Sequence, residues 1–112
     1  MTLFTKILNG EIPGKIIYQD EKCFAIRDIN PQAPVHVLLI PKKEIPSMNE
    51  LIANDEGLMG HMMKKVAEIA KTEGIDQSGY RLVVNNGSNA GQTVSHIHLH
   101  IIGGRALGWP PG

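Results

Sequence analysis

His96-Ile97-His98-Leu99-His100-Ile101-Ile102 alternates histidine with aliphatic residues and closes on a second isoleucine. Successive side chains of a β-strand point to opposite faces. On a strand, the three histidines therefore share one face while Ile97, Leu99 and Ile101 enter a core. Alternate Cα atoms stand roughly 6.6 Å apart, so the imidazoles form a row. The chain has five histidines, and three of them fall within these five positions. A single strand histidine is commonly a satisfied core or surface residue, but three in register on an apolar strand call for chemistry.

The alternation predicts a strand over Ser95–Ile102, preceded by a loop rich in small residues, amides and hydroxyls, Asn85-Asn86-Gly87-Ser88-Asn89-Ala90-Gly91-Gln92-Thr93. Tyr80–Val84 is a strand before that loop. Asp55–Glu73 is the one long helix, with Asp55 as its cap and Gly74 at its stop. Leu58, Met59, Met62, Met63, Val66, Ile69 and Ala70 give it a wide apolar stripe. Val35–Ile40 is apolar on both faces, hence a central strand, and Pro41 ends it. Ile16–Gln19 and Cys23–Arg27, separated by Asp20-Glu21-Lys22, form a hairpin. Leu3–Leu8 is a short helix that Asn9-Gly10 stops. Five strands with one principal helix predict an α+β fold: a mainly antiparallel five-stranded sheet with the long helix packed on one face.

Composition sets the frame. The 112 residues are 42% hydrophobic and 20% charged. A single domain over 1–112 of that size buries roughly 65% of its unfolded surface. Lys+Arg and Asp+Glu both number 11, and zero formal charge argues against a general nucleic-acid or membrane-surface binder. The longest aliphatic run, Val37–Ile40, is far short of the roughly 20 residues that span a bilayer. The opening MTLFTKILNGEIPG lacks a basic leader region, so the expectation is a cytoplasmic protein. Cys23 stands alone, which excludes an internal disulfide and any multi-cysteine zinc module. It reads as a small buried strand residue, and His61, on the long helix, as a surface or interface histidine.

Two chemistries would use the histidine row. A His-x-His pair on a strand can chelate zinc. The outer pair, His96 and His100, lie roughly 13 Å apart at Cα, so one ion cannot gather all three without both side chains at full stretch. No Cys, Asp or Glu nearby adds an anionic ligand, and the expectation is no metal and no other cofactor. The second chemistry is phosphoryl transfer. A neutral imidazole keeps a lone pair at pH 7 and can attack phosphorus, while its neighbours donate to the oxygens. The preceding loop offers backbone N–H groups for an anion, although it is no Walker loop.

These residues resemble the histidine triad (HIT) superfamily, whose pattern of three histidines alternating with apolar residues His96–Ile102 matches throughout. Gly103-Gly104-Arg105 and Trp109-Pro110-Pro111-Gly112 look like its Hint branch, the purine nucleoside phosphoramidases. The similarity extends over Leu3-Phe4 with Ile7, Glu11-Ile12-Pro13, Asp28-Ile29, Pro31–Pro34, His36, Ile40–Lys43 and Gly91–Thr93. It departs at Ser95, where relatives often carry an aromatic.

The resemblance implies roles. His98 is similar to the nucleophile that becomes nucleotidylated. His100 and Thr93 resemble the groups touching phosphate and leaving group, and His96 with His36 the pair that orients the nucleophile. Asp28 resembles the ribose-hydroxyl acceptor. Leu3, Phe4, Ile7, Ile26 and Ile29 look like the apolar slot for a purine. Asn85, Gly91 and Gln92 resemble the loop over sugar and phosphate, and Leu99 joins the nucleotide-binding set. The implied activity is hydrolysis of a purine nucleoside 5′-phosphoramidate of the AMP-amine type, the nucleotide partner being AMP- or GMP-like, in a homodimer. The alternative is a nucleotide-binding scaffold with vestigial activity, which would bind AMP without releasing amine. In relatives the C-terminal segment reaches toward the partner subunit's site, which gives Trp109 a role either in acceptor choice or in tail packing.

Overall fold

The computed structural model describes residues 1–112. Its order is α1 (Leu3–Leu8), β1 (Ile16–Gln19), β2 (Cys23–Arg27), β3 (Val35–Pro41), α2 (Glu56–Thr72), β4 (Tyr80–Val83) and β5 (Leu99–Gly103), with three short 3-10 turns between. The strands form one sheet in the order β1-β2-β3-β5-β4, and every neighbouring pair is antiparallel. This is the α+β architecture that the hydrophobic pattern predicts, and β4 lies at a sheet edge. No helix is long and apolar enough to cross a membrane.

Strand alternation divides the core in two. Cys23, Ala25, Val37, Leu39, Leu99 and Ile101 face α2, where Met62, Val66, Ile69 and Ala70 meet them. Phe24, Ile26, Leu38 and Ile40 face the other way, against Phe4 of α1. Because β2 and β3 are covered on both faces, they read as nearly continuous apolar runs, whereas burial alternates along β5. The α2 stripe is narrower than its sequence suggests: Met63 is 55% exposed and joins no core.

Helix ends follow local chemistry. The Thr2 hydroxyl accepts from the Thr5 N–H and caps α1. Gly74, at φ +77°, lets the chain leave α2 so that the Ile75 N–H reaches back to Ala70 O at 3.0 Å. Gly103 serves close approach instead, since a Cβ there would lie 2.9 Å from Ile75 Cδ1. Asp55 departs from expectation. It ends a 3-10 turn in the helical region, so its carboxylate reaches backward to Ile52 N–H at 3.0 Å and to Lys43 Nζ at 2.6 Å rather than capping α2.

The last strand also differs from the predicted Ser95–Ile102, because it begins only at Leu99. In the β3–β5 register Leu39 faces Leu99, so Pro41 would stand opposite Ile97. Proline has no N–H for a ladder, and the pairing stops. The Ile97 N–H instead donates to Ile45 O at 2.7 Å, and the His96 N–H turns back to Val94 O at 2.8 Å. His96 and His98 thus precede the strand, and only His100 lies within it. The fourth strand ends one residue early, at Val83.

Leu39 is fully buried at the centre of the α2-side core. Leu39→Ala should destabilise the fold by about 2–5 kcal/mol, measured as a lowered urea midpoint with an unchanged m-value.

Candidate active site: a histidine cleft against the first helix

Each of the three triad imidazoles makes a different set of bonds. The His98 ring Nδ1 lies 2.8 Å from the backbone oxygen of His96. A carbonyl only accepts, so Nδ1 carries the proton. In the neutral ring Nε2 then holds a bare lone pair, and no group of the chain bonds it. The Phe4 ring packs edge-on at 4.9 Å between centroids, which limits how His98 can turn.

His36 and His100 form a one-way relay. The Gln32 N–H donates to His36 Nδ1 at 3.0 Å. The proton of neutral His36 is therefore on Nε2, which donates to His100 Nδ1 at 2.9 Å. The His100 proton is then forced onto Nε2, and this buried atom has no partner within the chain. The His98 and His100 ring centroids are 5.0 Å apart. An open lone pair and an unspent N–H donor thus stand side by side at one cleft. Burial, and then the neighbouring His98 and His36, push the His100 pKa down to about 4, so it donates as a neutral ring.

His96 is placed differently from the orienting role that the resemblance implies. Its ring is fully buried, with Nε2 donating to Pro41 O at 2.7 Å and Nδ1 accepting from the Thr2 hydroxyl at 2.6 Å. Glu44 Oε2 accepts from Thr2 N–H and the Thr5 hydroxyl, completing a network that anchors α1. His96 meets His98 through its carbonyl rather than its imidazole, and His36 meets His100 rather than His98.

The cleft has a volume of about 320 Å³. Leu3, Phe4, Ile7, Ile26 and Ile29 line its apolar side, and Asp28, Thr93, His98 and His100 its polar side. Asp28 Oδ1 accepts from Asn30 N–H at 2.8 Å, and Oδ2 lies 3.4 Å from His36 Nε2. Six predicted residues are not part of this lining, and two of them, His36 and His96, stand behind the rings that are. The Leu99 side chain is in the α2-side core, because alternation turns it away from His98 and His100. Gln92 spends its amide on Pro46 O, Val94 O and Gly87 N–H, holding the loop in shape. Asn85 and Gly91 also stand outside the lining. Ile12, Pro13, Arg27, Leu38 and Val94 line the cleft without having been singled out. Of these, Leu38 was within reach of sequence reasoning, since it pairs with Ile26 across β2–β3 and shares its face. A larger groove of about 440 Å³ between β1 and α2 holds no histidine and none of this chemistry.

Asp28, His36 and His100 also bring possible metal-ligand atoms together. To ligate, His36 Nε2 would have to give up its proton to Nδ1, where the Gln32 N–H already donates. Two donors would then face each other, so the arrangement suits a hydrogen-bond relay better than an ion.

Burial lowers the pKa of His36 and of His96 as well. The unfolded chain takes up these protons near the ordinary pKa of about 6.5, and the folded chain resists them. The unfolded state therefore binds more protons in this window, and stability falls as pH falls. The melting temperature should drop as pH is lowered from about 6.5 toward about 4, and His100→Gln should flatten that slope. A melting temperature that is constant or rises across the window would contradict the relay.

The HIT domain family model matches residues 9–107. An uncharacterized HIT-like protein of Synechocystis is 53% identical over 111 residues, covering 99% of this chain and 96% of that one. The crystal structure of a HIT family hydrolase from Legionella pneumophila shares 46% identity and the whole of both chains, with a TM-score of 0.96. A histidine triad nucleotide-binding protein from Candida albicans is 30% identical, with a TM-score of 0.75 over 98% of this chain and 83% of that one. The alternating histidines, the sheet order that presents them and these likenesses agree, and the chain belongs to the HIT domain family.

Proposed function

We propose that the chain hydrolyses the P–N bond of purine nucleoside 5′-phosphoramidates through a nucleotidyl-His98 intermediate. The observation that carries this reading is the His98 Nδ1–H bond to His96 O, which leaves Nε2 as a lone pair beside the unpartnered His100 N–H. His98 Nε2 attacks the α-phosphorus, the P–Nε2 bond forms, and the bond to the amine breaks. The amine leaves with a proton taken up from solvent, which the water of the second step gives back, and Thr93 lies at the cleft wall as a hydroxyl donor for phosphate or leaving group. His100 Nε2–H stabilises the charge that develops on a phosphoryl oxygen. Water then cleaves the P–Nε2 bond, releasing the nucleotide and restoring the imidazole. Two easier displacements replace one hard one.

The apolar wall of Phe4, Ile7, Ile26 and Ile29 suits a purine ring, and the Asp28 carboxylate suits two ribose hydroxyls. Likeness to a named HIT family hydrolase and to a named histidine triad nucleotide-binding protein supports the reaction class and the ligand class. His98→Ala should abolish AMP-amine turnover while AMP still binds. Rapid quench of the wild type should trap an acid-labile nucleotide adduct on the His98 peptide. Comparable turnover by His98→Ala with no adduct in the wild type would make water the nucleophile.

The active form on this reading is a homodimer. Met63 remains 55% exposed on α2, and the edge strand β4 offers unpaired backbone groups next to the exposed Tyr80 and Val84. Pairing two copies covers both features. Sedimentation at micromolar concentration should give twice the chain mass of 12.3 kDa, and a monomer would count against the dimer.

A further inference from the structure

On the sheet face opposite the cleft, the two residues that the sequence set aside separately come together. Asp20, in the β1–β2 turn, accepts from His61 Nε2 of α2 at 2.7 Å and lies 3.6 Å from Cys23 Sγ, all through its Oδ2. The Tyr18 hydroxyl donates to the same oxygen at 2.6 Å. The other oxygen, Oδ1, accepts from the Lys22 and Cys23 N–H groups at 2.7 and 2.9 Å, which fixes the carboxylate plane. The candidate ligand atoms of Asp20, Cys23 and His61 all lie within 4.8 Å of one another. Cys23 is fully buried, while the Asp20 and His61 side chains are 23% and 26% exposed, so the cluster opens to solvent on one side.

We propose that Asp20, Cys23 and His61 form a binding site for one divalent transition-metal ion of the zinc class, separate from the histidine cleft and independent of its reaction. Three facts support the assignment. The donor set is thiolate, imidazole and carboxylate, which selects zinc-like ions over magnesium or calcium. Tetrahedral bonds of about 2.3 Å to sulfur and about 2.1 Å to oxygen separate those two ligands by about 3.6 Å, and Cys23 Sγ and Asp20 Oδ2 stand 3.6 Å apart. The third ligand must open: nitrogen and oxygen around such an ion lie about 3.4 Å apart, so His61, half-buried on the helix surface, withdraws by about 0.7 Å. Water takes the fourth position on the solvent side.

Proton accounting is simple. The Cys23 S–H bond breaks as the sulfur–metal bond forms, and that proton goes to solvent. His61 moves its ring proton from Nε2 to Nδ1 through solvent, which leaves the charge of the ring unchanged. One proton is released per ion. Without an ion, burial and the Asp20 charge push the Cys23 thiol up to about 12, so it is a protonated, unreactive group. Burial alone would raise the Asp20 carboxyl, but hydrogen bonds from Tyr18, His61 and two backbone N–H groups hold it well below the usual range. Lys65 stacks over Tyr18 at 5.9 Å and is paired with Glu68, so the carboxylate and thiolate dominate the local charge. The ion would tie the β1–β2 turn to α2.

Metal-free protein titrated with Co(II) should bind one equivalent, with a thiolate-to-cobalt charge-transfer band, tetrahedral ligand-field bands and release of one proton. Zn(II) should displace the cobalt. Cys23→Ser should remove the charge-transfer band, and His61→Gln should raise the dissociation constant by at least about tenfold, whereas His100→Gln should leave the titration unchanged. Absence of the charge-transfer band in the wild type would overturn the site. So would a titration unaffected by His61→Gln, or one lost only in His100→Gln. Should Cys23→Ser fail to fold, the partly exposed His61 position still decides the matter.

Discussion

Leu38 stands opposite His100 in the β3–β5 ladder. That register puts His36, two residues back along β3, within 2.9 Å of His100. A slip of one residue would turn every β5 side chain to the other face and send His100 into the α2-side core. The register is held because Val37, Leu39, Leu99 and Ile101 must all face α2 together. Packing on one side of the sheet thus fixes the chemistry on the other.

The relay from Gln32 through His36 to His100 has a direction because a backbone N–H can only donate. Each neutral ring accepts on one nitrogen and donates on the other, so the first bond decides the tautomer of the last. An unpaired buried N–H costs about 1–3 kcal/mol. The fold carries that cost at His100 Nε2, at the wall of a cleft where an anionic ligand oxygen would satisfy it. His98 is handled by the same logic with the opposite result, since its proton is held by a carbonyl and its lone pair is left open.

Helix α1 depends on the same residues. Six residues are too few for a helix to persist alone in water, and only Phe4 is fully buried. Its position rests on the Thr2 cap, whose hydroxyl also bonds the buried His96 ring, and on Glu44. His96 therefore joins α1, the end of β3 and His98: its ring holds the first two and its carbonyl the third. The wall of the cleft and the His98 ring share one support, so α1 and His98 Nε2 cannot drift apart independently.

Much of this was legible in residue order. Periodicity located both helices and the first three strands to within a residue or so, because apolar spacing, Asn9-Gly10, Pro41 and Gly74 act locally. The histidine alternation marked His98 and His100, and resemblance supplied Asp28 and the apolar slot. Strand alternation alone mistook His96 and His98 for ladder residues, since the strand stops where a proline from a distant segment would have to donate. The resemblance puts Gln92 in the loop over sugar and phosphate, whereas its amide is consumed by three backbone groups. The proximity of Asp20 and Cys23 to His61 was invisible, because 41 positions separate Asp20 from His61 and only the packing of α2 on the sheet joins them. Sequence by itself determined which residues are helical, extended or chemically capable, as these follow from local spacing and residue type. Tertiary structure decided which nitrogen carries each proton, because tautomers are set by partners that the chain brings together only when it folds.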